Sequence, residues 1–567
     1  MSAVVQQETG RMTLESLRAE VDGPRMMQDL AGLAQWVKLS GTPEEMEGIR
    51  FLQARLDAAG YRTQVLLHDA YISLPGPARV EVDGAPLTAI THSMSRASGP
   101  NGVNGPLVDL GTGEAARFAG ANLRGALLLV RGIASPDVAL RASRAGAAGV
   151  LHVSPHEHLH EMCISPVWGN PGLETVADLP SVTVCTISEA DGEALAARLA
   201  KGDAPRVTLH AKVDTGWRQT PILVGELDAP RGDAGAPFIL LSGHQDTWYH
   251  GVMDNGSANI GMLEVARLCA TRRAEWRRGL RVCFWSGHSH GRYSSSAWYA
   301  DRNWAELERR CAAHVNVDSL GGIGADVLSD AGCMAPLNAL AADAISAVSG
   351  QVHAGRRKNR NSDESFPGIG IPSIFGSISM QPAQPDGFRN ALGWWWHTPQ
   401  DLLDKVDEAN QVRDTQILLH ATWRLLADPV LPLDHAVQAD ALLEELQGLA
   451  PRLADQLPVA EVLAAATRLR DRLARLAASP AEDAATRNRL LMRLSRVLVP
   501  LDYVAGDRLA HDPALPQPPW PVLSPLRSLA EAEPGSDAAR FATVSAMRAC
   551  NRLTRALAEA EAVLDAG

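Results

Sequence analysis

The sequence predicts an α/β fold built on a doubly wound, mainly parallel sheet, and three observations carry that prediction. Short apolar runs at residues 238–241, 282–285 and 315–317 are bounded by turn residues, as expected for strands buried on both faces. Between the first two, SANIGMLEVARLCATRR sets Met262, Val265, Ala266 and Cys269 at i, i+3, i+4 and i+7, one face of a helix. Strand, loop and helix then repeat through roughly residues 220–430, the order that makes parallel strands joined by crossover helices.

The other segments follow from composition and pattern. Residues 14–74 read as helix, then strand: EEMEGIRFLQARLDAAGYRTQVLLHD is an amphipathic helix, a stop at Gly60 and a β run. A Pro/Gly-rich stretch follows, and residues 75–217 then hold short β runs (PLVDLG, ALLLVRG, LPSVTVCTIS) around the Ala/Gly-rich helical stretch VALRASRAGAAGVLHV. This is a compact α/β module inserted into a larger one, whose second part spans 218–432. Residues 433–567 are Ala/Leu/Arg-rich and helical, interrupted by the proline-rich AHDPALPQPPWPVLSP. Leu491, Leu494 and Leu498 form an apolar stripe there, read first as an intrachain core and second as a surface for a partner subunit.

Composition bounds the function. Apolar residues make up 46% and charged residues 21% of 567, as in globular proteins. The formal charge of −12 argues against nucleic acid or an anionic membrane as the main partner. Seven cysteines without a CxxC pair read as free thiols in a reducing compartment. The N-terminus lacks a basic segment followed by an apolar one, and no run of about 18–20 apolar residues occurs. The expectation is a soluble, cytoplasmic protein.

Chemistry-bearing residues follow the predicted strands. SGHQDTWYHGVMDNGSAN comes after the first, SGHSHGRYSSS after the second and DSLGG after the third, with NSDESFPGIGIPS and WWWHTPQD further on. His244, Asp246, Asp254, His288, Ser289, His290, Asp318 and His397 are thereby placed at strand ends or in loops before helices, and ligands of such sheets gather beyond the carboxyl ends of the strands. One such residue is ordinarily a satisfied polar group. The set is the donor chemistry of zinc or a similar divalent ion, and an aspartate can bridge two cations about 3.5–4 Å apart.

GHQD, MDNGSA, VNVDS, SDESFPGIGIPS and WHTPQDLLDKVD resemble motifs of the co-catalytic zinc aminopeptidases, and more closely the glutamate carboxypeptidase II and transferrin receptor branch. The resemblance covers nearly the whole chain. It implies a zinc-peptidase fold in which the module at 75–217 is a protease-associated (apical) domain and the C-terminal helices, around RNRLLMRLSRVLVPLDYVAGDRLAHDP, form a homodimer contact. It further implies that His244, Asp318 and Asp254 bind one metal, that Asp254 bridges to a second held by His397, and that Asp246 orients the His244 imidazole. One or two divalent ions are expected, zinc first, with manganese, iron or cobalt as alternatives.

The chain departs from this pattern at one place. The family carries two adjacent glutamates, a general base and a metal ligand, and a gapless alignment from Trp285 through Gly291 to Ser295 and Trp298 puts them at His288 and Ser289. A neutral imidazole, with a free pKa of about 6.5, can accept a proton or bind a metal; serine is a poor zinc ligand. Three readings follow. His288 serves as base, or His288 and His290 replace the lost ligand; Glu364 of the SDES motif supplies the base; or the fold is a non-catalytic binding or scaffold protein, as in the transferrin receptor. The first is preferred, because positions 244, 254, 318 and 397 are intact and HSHG brings two imidazoles where two carboxylates are missing. The expected activity is hydrolysis of an amide or peptide-like bond in a small-molecule or peptide-like substrate.

Other residues bear on the same pocket. Trp248 and Trp396 lie beside ligand positions and can stack on a substrate. Arg292 and Tyr293 can hold an anionic group or an oxyanion. The tract HVSPHEHLHEMC carries His152, His156, His158 and His160 and reads first as a polar loop at the pocket mouth, second as a metal-binding tract. No GxSxG elbow supports a nucleophilic serine.

Overall fold

The computed structural model describes residues 14–230, 235–383, 391–481 and 483–566. The first helix–strand unit forms where the sequence places it. Thr42 caps the helix Pro43–Ala58 by accepting from the Glu45 amide, and the chain leaves it through Gly60 at φ +86°. The strands are β1 (Arg62–Val82), β2 (Ala85–Leu87), β3 (Ile90–Thr91), β4 (Val103–Gly105), β5 (Leu107–Asp109), β6 (Leu127–Arg131), β7 (Gly149–Val153), β8 (Thr183–Ile187), β9 (Val207–Leu227), β10 (Phe238–His244), β11 (Gly279–Trp285), β12 (Cys311–Val317) and β13 (Ser373–Gly376).

The main sheet runs β13-β12-β10-β11-β9-β1-β2, with β4 also on β9. The central strands β13, β12, β10 and β11 are mutually parallel, as expected, and β9, β1, β2 and β4 add antiparallel pairs at one side. The cause is the inserted module. β1 carries the chain out to it and β9 carries it back, so the two must run in opposite directions, in register from Arg62↔Glu226 to Val82↔Val207. The expected boundaries at 75 and 217 both fall inside these strands, and the single register shift lies between Pro75 and Ala78.

The module has its own sheet, β3-β8-β7-β6-β5, parallel except for β3. The far ends of β1 and β9 close its core: Val80, Val207, Leu209 and Ala211 pack with Leu127, Leu129, Leu151 and Val153.

The central strands are buried on both faces, as their unbroken apolar runs require. Ile239, Leu241, Val282, Phe284, Val315 and Val317 share a core with the helices Gly23–Leu33, Pro43–Ala58, Ala258–Thr271 and Glu408–Ala427. Phe238, Leu240, Cys283 and Trp285 pack on the opposite face with Tyr299, Leu307 and Phe366. The C-terminal helices His435–Leu453, Val459–Ala478, Ala484–Tyr503, Ser524–Glu531 and Asp537–Asp565 enclose a separate apolar core containing Leu494 and Leu498. The leucine stripe is thus intrachain core, and its first member, Leu491, joins the core of the main sheet. Buried Arg496 fastens the two layers by donating to the carbonyls of Glu308, Gly370 and Cys311.

All seven cysteines are buried and free. Among the described residues no helix is long and apolar enough to cross a membrane.

Candidate metal centre

Three adjacent parallel strands end at one edge of the sheet. β10 ends on His244, Asp318 follows β12, and the turn carrying His288, Ser289 and His290 follows β11. Asp254 arrives from the segment before the helix Ala258–Thr271, where the Asp254–Asn255 peptide is cis. His397 comes from a later loop at φ +59°. Asp254 Oδ1 lies 3.1 Å from His244 Nε2, and its Oδ2 lies 3.1 Å from His397 Nε2. Asp318 Oδ1 is 3.6 Å from His244 Nε2. The four residues expected to ligate are therefore together, with the Asp254 carboxylate between two imidazoles.

The hydrogen bonds fix which ring nitrogen is available. His244 Nδ1 is 2.8 Å from the Asp246 carbonyl oxygen, and His397 Nδ1 is 2.6 Å from that of Glu161. A carbonyl only accepts, so Nδ1 carries the proton in both rings. In the neutral form each Nε2 presents a lone pair to carboxylate oxygens, an arrangement that only a proton or a cation between them resolves. Burial opposes charge on His244, yet Asp254 and Asp318 outweigh it and hold its pKa well above the ordinary imidazole value. Burial likewise opposes ionisation of Asp254, and His244 and His397 outweigh it to hold that carboxyl well below the usual range. Two carboxylates and two Nε2 lone pairs, buried and convergent, fit a divalent cation of the zinc type.

His288 belongs to this cluster. One ligand atom from each of His244, His288 and Asp318 lies within 4.8 Å of the others, the one such trio among the described residues. The His288 ring stacks on His244 at 3.6 Å and 13°. Its Nδ1 is 2.8 Å from Asp363 Oδ2. His290, expected as an alternative ligand, is turned away. It is fully buried, with Nδ1 3.0 Å from Ser40 Oγ and its ring against Trp248, and its Nε2 has no partner. It lies two positions after His288 on a short helical turn, which points the rings in different directions. The Ser289 hydroxyl is buried without a partner, and its amide donates to Asp246.

Asp246 meets His244 through its main chain. Its main-chain carbonyl, not its carboxylate, orients His244; the carboxylate accepts from Ser40 Oγ and from the amides of His288 and Ser289, pinning the HSHG turn. Glu364 does not face the cluster either. Its carboxylate accepts from Lys358 Nζ (3.1 Å), Ser373 Oγ (2.7 Å) and Asn316 Nδ2 (3.3 Å). Consecutive side chains of the turn point apart, so it is the preceding acid, Asp363, that meets His288.

The residues expected to touch substrate are mostly packing. Trp248 is buried against His290 and His397, and Trp396 stacks on His397 at 3.5 Å. Tyr293 is buried with Trp168 and Ala514, while Arg292 lies over the Tyr293 ring and donates to the Ala514 carbonyl. The histidine tract does reach the centre. Glu161 exchanges main-chain hydrogen bonds with His397, amide to carbonyl at 3.1 Å and carbonyl to Nδ1, and His160 Nδ1 donates to the Trp396 carbonyl at 2.5 Å. His156 and His160 pair through Nε2 at 3.0 Å, and His152 is held in β7 by the Gly132 carbonyl.

Sequence reasoning passed over three supports. Asp401, in the WHTPQD motif, accepts from the amides of Met253 and Asp254 at 2.9 and 3.0 Å, and burial pushes its pKa up to about 7. Asp363 stood beside the acid that was singled out. Lys38, buried near Asp401, Asp246 and Glu45 with its pKa lowered by burial to about 8, has no local signal in the sequence.

Residues 223–422 match the model of peptidase family M28. The chain is 27% identical over 233 residues to a probable glutamate carboxypeptidase, VP8, of Zea mays, covering 37% of this chain and 32% of that protein. It is 24% identical over 123 residues to the aminopeptidase NAALADL1 of Mus musculus, covering 21% and 16%. The chain thus spans about a third or less of the length of these relatives. Among solved structures, it is similar to an aminopeptidase from Aneurinibacillus sp. strain AM-1 (TM-score 0.55, 21% identity, 73% of this chain and 96% of that one). It is also similar to a peptidase M28 precursor from Shewanella amazonensis (TM-score 0.58, 17% identity, 75% and 97%).

Proposed function

We propose that this chain, a member of the co-catalytic zinc peptidase superfamily, is a metal-dependent hydrolase of peptide or amide-like bonds. One observation carries the reading: the Asp254 carboxylate lies between the Nε2 atoms of His244 and His397, each ring donating its Nδ1–H to a carbonyl oxygen. In this reading His244, Asp254 and Asp318 hold the principal cation, zinc by donor type, and Asp254 with His397 faces a second position. A bound divalent cation supplies a Lewis acid and lowers the pKa of water to about 7.

The chain's own residues do the rest. His288 replaces the missing carboxylates: its Nδ1 is committed to Asp363, which leaves the lone pair on the other nitrogen, and its ring reaches within 4.8 Å of ligand atoms of His244 and Asp318. Trp248 and Trp396 exclude water from the flanks of His397. The inserted module, in the role of a protease-associated domain, closes the site through Glu161. We assign a homodimer contact to the helix Asp537–Asp565, which exposes Phe541, Val544 and Met547 at intervals of three residues. Seven free cysteines suit the cytoplasm.

The test is elemental analysis of the purified protein, followed by turnover of a panel of aminoacyl and N-acyl dipeptides by the zinc-loaded form. Stoichiometric metal, activity abolished by chelator, and loss of both high-affinity metal and turnover in His288→Ala are expected. Absence of stoichiometric divalent metal after zinc reconstitution would instead indicate a binding or scaffold protein.

A further inference from the structure

We infer that Asp363 is a positioning residue that orients His288 toward the cation; this rests on the reading that His288 faces that cation. Asp363 is fully buried. Its Oδ2 lies 2.8 Å from His288 Nδ1, and its Oδ1 accepts from Ser296 Oγ at 2.7 Å. Ser296 Oγ is in turn 2.9 Å from Ser365 Oγ, which accepts from Trp168 Nε1 of the inserted module. Both carboxylate oxygens are thus occupied, which fixes the plane of the group.

The backbone also points to a set purpose. Ser362 and Asp363 sit at φ +49° and +51°, left-handed conformations that residues other than glycine adopt at a cost. The consequence is visible on both sides of the turn. Ser362 Oγ donates to Asp318 Oδ2 at 2.6 Å, while Asp363 reaches His288, so one strained turn holds two members of the trio His244, His288 and Asp318.

Electrostatics gives the reason. Histidine and serine at 288 and 289 carry no negative charge, and a divalent ion beside them has lost the neutralisation that two carboxylates would supply. Asp363 returns one such charge at a single remove, through the imidazole. A carboxylate that accepts from one ring nitrogen sets the tautomer and strengthens the other nitrogen as a ligand, and removing such a partner costs roughly 10- to 100-fold in metal affinity or activity.

The experiment uses the full chain as wild type, Asp363→Asn, Ser296→Ala and His288→Ala. Zinc dissociation constants are measured by chelator competition and the visible spectrum of the cobalt(II)-loaded protein is recorded, with circular dichroism and thermal unfolding as controls for the fold. The inference expects roughly 10- to 100-fold weaker zinc binding and altered cobalt bands in Asp363→Asn, a smaller change of the same sign in Ser296→Ala, and at least as large a loss in His288→Ala. Wild-type affinity and spectrum in folded Asp363→Asn, with affinity lost in His288→Ala, would overturn the role of Asp363 alone. Wild-type behaviour in both would overturn the reading of His288 and the inference with it. If Asp363→Asn does not fold, Ser296→Ala decides, and an unchanged cobalt spectrum there counts against the inference.

Discussion

Replacing Asp401 with asparagine tests how the Asp254 carboxylate is held. Asp401 is 1% exposed, and its two oxygens accept separately from the amides of Met253 and Asp254, at 2.9 and 3.0 Å. Asparagine keeps the shape but offers one acceptor oxygen, so one buried amide is left facing an NH₂ group. An unsatisfied buried donor costs about 1–3 kcal/mol, and above about pH 8, where Asp401 is ionised, the lost bond is to a charged acceptor, which places the expected value in the upper half of that range. The amide of Asp254 is one of the two at risk, so the same change loosens the carboxylate shared by His244 and His397 and weakens zinc binding by roughly tenfold or more. Urea unfolding of the metal-free protein reads the first effect, as a lower midpoint at unchanged slope. Chelator competition reads the second. An Asp401→Asn protein with the wild-type midpoint and wild-type zinc affinity would refute the reasoning, because it would mean that neither amide depends on the carboxylate.

Further outcomes are expected. The metal-free protein should respond to pH through Asp401, whose folded pKa is raised to about 7 against about 3.9 in the unfolded chain. The folded state then binds more protons between these values, so this contribution falls as pH rises from about 4 to about 7, by on the order of 4 kcal/mol; a slope in unfolding free energy identical in wild type and Asp401→Asn over that window would contradict it. Zinc at a hundred times its dissociation constant should stabilise the fold by about 2.7 kcal/mol, read as a rise in urea midpoint that chelator reverses; no rise means no site specific to the folded state. Glu364→Gln should leave zinc affinity unchanged while lowering stability by about 3–5 kcal/mol, because it strands Lys358, itself 3% exposed, in the interior; a change in zinc affinity at wild-type stability would return Glu364 to the metal site.

Much of the architecture is set by local pattern. Unbroken apolar runs at 238–241, 282–285 and 315–317 can be satisfied only by strands covered on both faces, and the residue that follows such a strand emerges at its carboxyl edge. His244, Asp254, Asp318 and His397 were therefore legible as one candidate site, and the loss of two carboxylates at 288 and 289 was legible as a break in an otherwise matching set. Tertiary structure decided the finer questions, because each depends on direction rather than on position along the chain. The sheet is mixed because β1 and β9 serve as outgoing and returning arms of the inserted module, a pairing 164 residues apart at Arg62↔Glu226 that no local periodicity encodes. Asp363 and Glu364 are equivalent in sequence, yet a left-handed turn sends one to His288 and the other to Lys358. His288 and His290 look interchangeable, yet the helical turn between them turns one toward Asp318 and the other toward Trp248. Residue type determined what chemistry could gather at the sheet edge; the dihedral angles of two short turns determined which side chains take part.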